Sequence, residues 1–464
     1  MRNSNQCLES FHTQDESSDA PVDFRKGVYI QTFGCQMNEY DTRKLYKVLE
    51  DQYQPVSAPE DAELILINTC SVRDKPEQKL YSLLGTFREL KQAKPDLLLG
   101  VGGCVAQQEG QRIVSRSADV DFVFGTHNLS LVPSLIERRR GGLGPQVAVT
   151  YRDEWEELPL GFSEQTTESR ASALISISRG CNKNCSYCIV PTTRGPEVSR
   201  SPDEILREAR IARQRGAKEV ILLGQTVNSY GLDLPKRYRF ADLLKDISDI
   251  DGIERIRFTS PHPQEIREDF IELVRDNPKI CRHVHMPLQS GSDKILKLMN
   301  RNYRRRRYLG IISELKSAVP EIAITTDIIV GFPGESRSDF DASLEVIKIV
   351  EFDNSYSFVF SPRPGTEAAS MPELIDSQEK LLRLKELQAL QFEITNRRLL
   401  EYVGKRVEVM IEGPSAFNPE LLQGRISQNI TFNFQKPIAG VGVGAIVPAL
   451  VSAVSRYTLK GEEI

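Results

Sequence analysis

The sequence predicts an α/β protein in three parts: an N-terminal open parallel α/β sheet domain, a central partial (β/α)6 barrel and a C-terminal small all-β barrel. Three observations predict this order. Apolar strands alternate with amphipathic helices in the first part, six strand-then-helix units follow, and the last part alternates at period two with Gly and Pro turns. A chain of 464 residues is also long enough for two or three domains.

The first domain is predicted over residues 26–145. Its strands are expected at GVYIQTF, AELILIN, DLLLGVGG and DVDFVFG, and the stretches between them have helical periodicity. Strands that alternate with helices favour a parallel sheet. Residues 1–25 are polar and lack apolar periodicity, so they are predicted to form a mobile extension in which Cys7 is a free thiol.

The second domain is predicted over residues 170–399, after a polar linker at 146–169 that follows the charged and Gly-rich stretch ERRRGGLGPQ. Six strands are expected at ASALISIS, EVILLGQ, RIRFTS, HVHMPLQ, AITTDIIVGF and SYSFVFS. Six units at this spacing fit a partial barrel better than a flat sheet, although periodicity alone does not separate the two. A long helical segment closes this domain, and residues 400–464 are predicted to form the small β-barrel.

Composition excludes several classes of protein. The net charge of −4 excludes a uniformly basic nucleic-acid binder but leaves room for local basic patches. No stretch approaches the ~20 uncharged apolar residues of a spanning helix, and the first residues lack the apolar centre of a signal peptide. We therefore expect a cytoplasmic protein without a membrane partner, whose eight cysteines are thiols or metal ligands and not disulfides.

The strongest chemical signal is a group of three cysteines directly after the first barrel strand. Cys181, Cys185 and Cys188, the barrel cysteines, lie within eight residues of one loop. Soft thiolate ligands select an iron–sulfur cluster or zinc. Structural zinc usually has four protein ligands, and no second cysteine pair follows nearby. Three ligands would leave one metal position open for a substrate. The alternatives are a structural zinc knuckle and buried thiols that bind no metal.

A second group of three cysteines is spread across the first domain. Cys35, Cys70 and Cys104, the domain-one cysteines, each lie just past the carboxyl end of a predicted strand. Ligands bind at that edge of an open parallel sheet, so three cysteines distant in sequence can converge on one point. We therefore predict a second three-thiolate site. The alternative is that small loop residues follow strand ends by chance.

The segment CNKNCSYC resembles the three-cysteine motif of the radical S-adenosylmethionine (radical SAM) enzymes. Eight segments together narrow the resemblance to the MiaB-type tRNA methylthiotransferases: TFGCQMNEYD, INTCSVR, GGC, SRGCNKNCSYCIVPTTRGPEVSR, LLGQTVNSYG, MPLQSGSD, TTDIIVGFPGE and FSPRPGT. The likeness runs from about residue 27 to residue 460 and covers all three domains in order.

The resemblance implies two 4Fe-4S clusters and two S-adenosylmethionine molecules per turnover. The cluster on the barrel cysteines would cleave one S-adenosylmethionine to a 5′-deoxyadenosyl radical. The cluster on the domain-one cysteines would carry the sulfur that the other S-adenosylmethionine methylates. Loops at the carboxyl ends of the barrel strands would bind S-adenosylmethionine, and the residues that we single out for this role are Tyr187, Gln225, Gln289, Ser290 and Asp327.

The implied reaction replaces hydrogen by a methylthio group at carbon 2 of N6-isopentenyladenosine next to the anticodon of tRNA. That hydrogen has no useful acidity, so an ordinary general base could not remove it. The two cysteine sites should then face each other, with the target base flipped between them. The implied partners are this tRNA, an electron donor such as a flavodoxin or ferredoxin, and sulfur and cluster delivery proteins; the chain is expected to be a monomer.

Two other functions stay open at this point. A related methylthiotransferase could act on threonylcarbamoyl-adenosine in tRNA or on a ribosomal protein. A non-catalytic iron–sulfur RNA-binding protein would carry cysteines of this kind without cleaving S-adenosylmethionine.

RNA contacts are expected in two places. The last domain resembles the TRAM module, an RNA-binding β-barrel, and Phe432 or Phe434 is the candidate for base stacking. Arg301 and the run from Arg304 to Arg307 are expected either on a solvated face or against RNA phosphates.

Overall fold

The computed structural model describes residues 25–71, 76–156, 158–161, 171–372, 375–415, 418–438 and 440–464. Nearly all of the predicted mobile extension, with Cys7, lies outside the described residues. The predicted three-part α/β architecture is confirmed, since a parallel sheet, a partial barrel and a closed five-stranded barrel follow one another along the chain. Within the described ranges, no helix combines the length and the apolar character needed to cross a membrane.

The N-terminal domain is a six-stranded parallel sheet in the order β2-β1-β3-β4-β5-β6. Its strands are β1 (Lys26–Thr32), β2 (Tyr53–Pro55), β3 (Leu64–Thr69), β4 (Leu98–Gly103), β5 (Phe122–Phe124) and β6 (Gln146–Ala148). Its helices are α1 (Gln36–Leu49), α2 (Pro76–Ala93), α3 (Cys104–Glu109), α4 (Gln111–Arg116) and α5 (Val132–Arg140). Successive side chains of the fully buried β3 point to opposite faces, so Leu64 and Leu66 enter one apolar cluster and Ile65 and Ile67 enter another.

The predicted linker begins too early. Residues 146–148 form β6, which pairs in parallel with β5 at one edge of the sheet. The opposite edge strand, β2, also has three residues and is not predicted by the sequence. Both strands are too short to show a periodic pattern, and the side chains of β6 are only partly buried. Pairing with an existing strand, and not local sequence, makes these segments extended.

The central domain is an arc of two three-stranded parallel sheets, ordered β11-β10-β7 and β12-β13-β14. A parallel bridge between Ile256 and Ile280 joins them, so β7 and β14 remain as edges of a partial barrel. The strands are β7 (Ser172–Ser176), β8 (Ser178–Arg179), β9 (Val198–Ser199), β10 (Glu219–Leu223), β11 (Arg255–Phe258), β12 (His283–His285), β13 (Ala323–Val330) and β14 (Asn354–Val359). The short β8 and β9 pair antiparallel and flank the loop of the barrel cysteines.

Helices cover the outside of this arc, except for the first, α6 (Val190–Arg194), which packs against α3 of the first domain. The others are α7 (Pro202–Gln214), α8 (Phe240–Ser248), α9 (Glu268–Asp276), α10 (Asp293–Leu298), α11 (Arg305–Ala318), α12 (Arg337–Val350) and α13 (Ser377–Leu400). Strand residues such as Ile175 and Val220 pack beneath the helices, whereas the alternate residues Leu174 and Ile221 face the interior of the arc.

The C-terminal domain is a closed barrel in the order β15-β16-β17-β19-β18. Its strands are β15 (Arg406–Pro414), β16 (Leu422–Arg425), β17 (Thr431–Phe434), β18 (Ile446–Ser455) and β19 (Thr458–Glu463). The prediction that Phe432 or Phe434 stacks on RNA is wrong, because β17 directs both rings into the barrel core at 0% and 2% exposure. An exposed aromatic side chain of this domain is Tyr457.

The C-terminal barrel sits at the amino ends of the central strands. Arg255, the first residue of β11, donates from Nη1 to the carbonyl oxygen of Arg425 at 2.7 Å and from Nη2 to that of Glu408 at 2.9 Å. The backbone N–H of Arg282 donates to Ser427 Oγ at 2.8 Å. These contacts leave the carboxyl ends of the central strands free to face the first domain.

Candidate active site

A cavity of about 940 Å³ is bordered by all three domains. Its volume lies in the range of pockets that bind small-molecule ligands. The lining includes the three domain-one cysteines, the barrel strand ends at Leu223, Gly224, Gln225, Thr259 and Ser260, the interior residues Arg257, His283 and His285, and Arg425 and Asn429 of the C-terminal domain. The carboxyl edge of the first sheet and the mouth of the barrel therefore open into one space, as a flipped base would require.

The structure brings the domain-one cysteines together at one end of this cavity. Cys35 directly precedes α1 and is exposed, Cys70 follows β3, and Cys104 is the first residue of α3. Cys70 and Cys104 are buried. The three strand ends are adjacent because β1, β3 and β4 are neighbours in the sheet.

A pair of buried asparagines joins the loops that carry Cys35 and Cys70. Asn38 Nδ2 donates to Asn68 Oδ1 at 3.1 Å and to the Thr69 carbonyl oxygen at 2.9 Å. Asn68 Nδ2 returns a hydrogen bond to the Asn38 carbonyl oxygen at 2.9 Å. Buried amides that satisfy each other hold these loops in a single arrangement.

Two glycines allow the cysteine loops to approach so closely. Gly34 has φ of 131° and Gly103 has φ of 89°, both in the region that favours glycine. A Cβ atom at Gly34 would lie 2.6 Å from Cys70 Cβ, and one at Gly103 would lie 2.3 Å from the Thr69 carbonyl oxygen. Larger residues at either position would push the cysteine-bearing loops apart.

The thiols of this site differ in acidity. The pKa of Cys35 is lowered to about 6, chiefly by a hydrogen bond with Cys70, while partial desolvation by neighbouring groups opposes the shift and the Arg194 guanidinium adds to it. Backbone N–H groups at the start of α1 also favour the Cys35 thiolate. Burial raises the pKa of Cys104, and the charge of Arg194 works against that rise. The exposed Cys35 is therefore the thiol that ionises most readily here.

The barrel cysteines lie on the loop between β8 and α6, and all three are partly buried. Cys181 Sγ accepts the backbone N–H of Lys183 at 3.4 Å and lies 3.5 Å from Thr226 Oγ1. The pKa of Cys188 is raised to about 12, chiefly by burial and in addition by the neighbouring Cys185 and Cys181. The negative charges of neighbouring thiolates repel one another. A cation that binds all three thiolates removes this repulsion.

Arg301 contacts the barrel cysteines and is not part of a surface patch. It is buried, its Nη1 donates to Cys185 Sγ at 3.4 Å, and its Nη2 donates to the Pro287 carbonyl oxygen at 3.1 Å. The expectation of a solvated or RNA-facing Arg301 is therefore wrong. N–H donors to cysteine sulfur are a typical feature around iron–sulfur clusters.

The donor chemistry of both sites fits iron–sulfur clusters. Each site offers three thiols, hydrogen-bond donors to sulfur and a buried arginine. Among the described residues, no group of His, Cys, Asp or Glu is arranged around a single metal ion. A 4Fe-4S cluster needs a wider arrangement of ligands, because its thiolates bind different irons and lie farther apart than the ligands of one ion.

The residues predicted to bind S-adenosylmethionine are spread over the mouth of the barrel. Gln225 lines the cavity, and its buried Oε1 has no hydrogen-bond partner among the described residues. Tyr187 packs edge-on against Phe332, with ring centroids 6.4 Å apart. Asp327 Oδ2 lies 3.3 Å from His285 Nε2, and His285 lines the cavity.

The remaining two residues of this prediction shape the loop after β12. Gln289 has a positive φ of 71°, and its backbone N–H donates to the Asp327 carbonyl oxygen at 2.8 Å. Ser290 is fully buried, and its Oγ accepts the N–H of Ser292 at 3.2 Å. Neither lines the cavity in the described part of the chain. The role of all five residues stays a prediction.

Three site residues are not predicted from the sequence. Met37 on α1 packs against Leu174 and Leu223 in the mouth of the barrel. Asp41, one turn later, forms a buried ion pair with Arg194 of α6 at 2.8 Å. All three lie within the quoted motifs, but nothing local reveals that they meet across a domain boundary.

Profiles of three known families match the chain. The Radical SAM superfamily matches residues 175–347, the uncharacterised protein family UPF0004 matches residues 27–125, and the TRAM domain matches residues 400–464. Solved structures of the radical S-adenosylmethionine methyltransferase TsrM from Kitasatospora setae share the fold. Two of them superpose with TM-scores of 0.54 and 0.58 at 13% and 14% identity, covering 74% of this chain and 74–75% of theirs.

Curated relatives are similar along nearly the whole chain. A tRNA-2-methylthio-N(6)-dimethylallyladenosine synthase from Burkholderia vietnamiensis is 43% identical over 447 residues, covering 94% of this chain and 97% of that protein. A protein of the same name from Syntrophobacter fumaroxidans is 45% identical over 436 residues, covering 94% and 95%. This chain therefore belongs to the tRNA-2-methylthio-N(6)-dimethylallyladenosine synthase family of the radical SAM superfamily.

Proposed function

We propose that this chain is a radical SAM methylthiotransferase that replaces hydrogen by a methylthio group at carbon 2 of N6-isopentenyladenosine, next to the anticodon of tRNA. One observation carries the proposal: three cysteines of the first domain and the strand ends of the barrel border the same cavity. A sulfur-bearing site and a radical-generating site must share one substrate, and this cavity brings the domain-one cysteines to the mouth of the barrel, although the barrel cysteines are not among its described lining residues. The names of the relatives support the choice of tRNA substrate.

The two cysteine groups would hold two 4Fe-4S clusters, one on the barrel cysteines and one on the domain-one cysteines. When bound, these groups and S-adenosylmethionine supply the electron, the radical, the sulfur and the methyl group of the reaction. An electron donor such as a flavodoxin or ferredoxin, and proteins that deliver sulfur and clusters, complete the proposal.

Residues that line the cavity would bind and orient the ligands. Gln225 Oε1 has no partner in the part of the chain that the structure describes, and a ligand in the cavity would satisfy this acceptor. The same cavity has an apolar wall, which consists of Met37, Leu174, Ile221 and Leu223. We assign the isopentenyl group to this wall, because burying an apolar tail there excludes water from both partners.

The number of clusters can be tested by iron content. Wild-type protein reconstituted without oxygen should hold about eight irons per chain, as expected for two four-iron clusters. Replacing the barrel cysteines by Ala should leave about half of that iron. Cys281→Ala is the matched control, because Cys281 is a buried thiol outside both groups and its loss should remove no iron. A barrel-cysteine variant with full iron content, or a wild type that takes up zinc instead, would contradict the assignment.

Substrate choice can be tested on a single tRNA carrying isopentenyl-adenosine, unmodified adenosine or threonylcarbamoyl-adenosine beside the anticodon. Burial contributes about 0.8 kcal/mol per methylene-sized group, so five carbons amount to about 4 kcal/mol. We therefore expect kcat/KM to be about a thousandfold higher for the isopentenyl substrate than for unmodified adenosine. Equal rates on these two, or preference for threonylcarbamoyl-adenosine, would reject this substrate without affecting the radical chemistry.

A further inference from the structure

The segment after the barrel cysteines connects the two cysteine sites. Helix α6 begins two residues after Cys188 and ends at Arg194. The Thr193 carbonyl oxygen accepts a hydrogen bond from Thr126 Oγ1 at 2.7 Å, and that of Arg194 is bonded to His127 Nε2 at 2.8 Å. The loop that carries one cysteine group is therefore anchored on the domain that carries the other.

The side chain of Arg194 extends from this anchor to the domain-one cysteines. It is 5% exposed, and its Nη2 lies 2.8 Å from Asp41 Oδ2. It lines the same cavity as Cys35 and Cys104, and its positive charge favours the thiolate form of both. Burial alone would lower the pKa of Arg194, but the charges of Asp41, Cys104 and Cys35 raise it. Arg194 is thus a permanent cation held against two thiols of the other domain.

We infer that Arg194 is a positioning residue of the barrel domain that holds a fixed positive charge at the domain-one cysteine site, and that Asp41 sets how much of this charge the site experiences. The inference rests on the proposed function, because it assumes that the site holds a cluster. Arg194 would then have two roles: its ion pair with Asp41 docks α6 on the first domain, and its charge acts on the cysteine site of that domain.

The signs of the two charges make this role measurable. A cation beside a thiolate-ligated cluster favours the more negative, reduced state, so removing it should make the reduction potential more negative. Asp41 has the opposite charge, and it raises the pKa of Cys104 where Arg194 lowers it. Removing the Asp41 charge should therefore make the potential more positive.

The test uses the full-length chain with the barrel cysteines replaced by Ala, so that only the domain-one cluster titrates. The cluster is reconstituted anaerobically in four proteins: this parent and its Arg194→Gln, Arg194→Lys and Asp41→Asn variants. Electron paramagnetic resonance then follows the reduced cluster during a potentiometric titration. We expect a shift to more negative potential for R194Q, a parent-like potential for R194K and a shift to more positive potential for D41N. If R194Q loses its iron, the sign of the potential shift in D41N tests the inference instead.

Arg200→Gln is the matched control. Arg200 is as buried as Arg194 and lies at the same domain boundary, but the partners that raise its pKa against burial are Glu208, Tyr40 and Glu204. R200Q should therefore leave the potential of the cluster unchanged. The inference is wrong if R194Q and D41N shift the potential in the same direction, if D41N leaves it unchanged, or if R200Q shifts it as much as R194Q. A parent without iron would overturn the cluster assignment together with the inference.

Discussion

Replacing the three domain-one cysteines by Ala should abolish methylthiolation while reductive cleavage of S-adenosylmethionine to 5′-deoxyadenosine continues. The barrel cysteines lie on a separate loop between β8 and α6, with their own donors from Lys183 and Arg301. Those contacts do not involve the domain-one thiols. Replacing the barrel cysteines should abolish both activities, because the radical is proposed to form there.

Both activities can be measured in one anaerobic reaction by mass spectrometry of tRNA nucleosides and of 5′-deoxyadenosine. Cys281→Ala is again the control and should retain both activities, since this thiol lies against Glu219 at 3.8 Å and belongs to neither group. Methylthiolated product from the domain-one variant would disprove the sulfur-bearing role. A wild type that cleaves no S-adenosylmethionine under reducing conditions would favour the non-catalytic RNA-binding alternative.

Glu208→Gln should lower the free energy of unfolding by about 3–5 kcal/mol. Glu208 on α7 is 0% exposed and forms ion pairs with Lys44 of the first domain and Arg200 of the barrel domain. Lys44 Nζ also donates to the carbonyl oxygens of Pro159 and Gly161, each at 3.1 Å. Removing the carboxylate takes a fully buried anion away from two buried cations, which costs far more than losing an exposed pair.

The chain contains a suitable reporter for this variant. Trp155 is the only tryptophan, and the Arg200 guanidinium lies 5.8 Å from its ring centroid. Urea unfolding followed by tryptophan fluorescence therefore reports on the boundary between the two domains. Glu204→Gln is the control, because Glu204 is 41% exposed and its contact with Arg200 is 3.4 Å long, so we expect a change within about 0.5 kcal/mol. Equal stability of E208Q and wild type would disprove the importance of this buried ion pair.

Several properties of this protein follow from the sequence alone. The three-part α/β fold is predicted because hydrophobic periodicity is a local signal, and the long strands and helices repeat it many times. The barrel cysteines are recognisable because their spacing places three thiols on one loop. The domain-one cysteines are predicted to converge by a topological rule, since parallel strands end at a common edge.

Other features were decided only by the tertiary structure. Strand β6 is extended because β5 offers it a partner, and Phe432 is buried because the barrel closes around it. In the sequence, Arg301 resembles a surface cation, and only the fold shows that it lies beside Cys185. Arg194 and Asp41 are 153 residues apart, and their ion pair exists only when the first domain docks on the barrel. Periodicity and spacing describe neighbours along the chain, whereas burial and charge pairing depend on residues that folding brings together from distant positions.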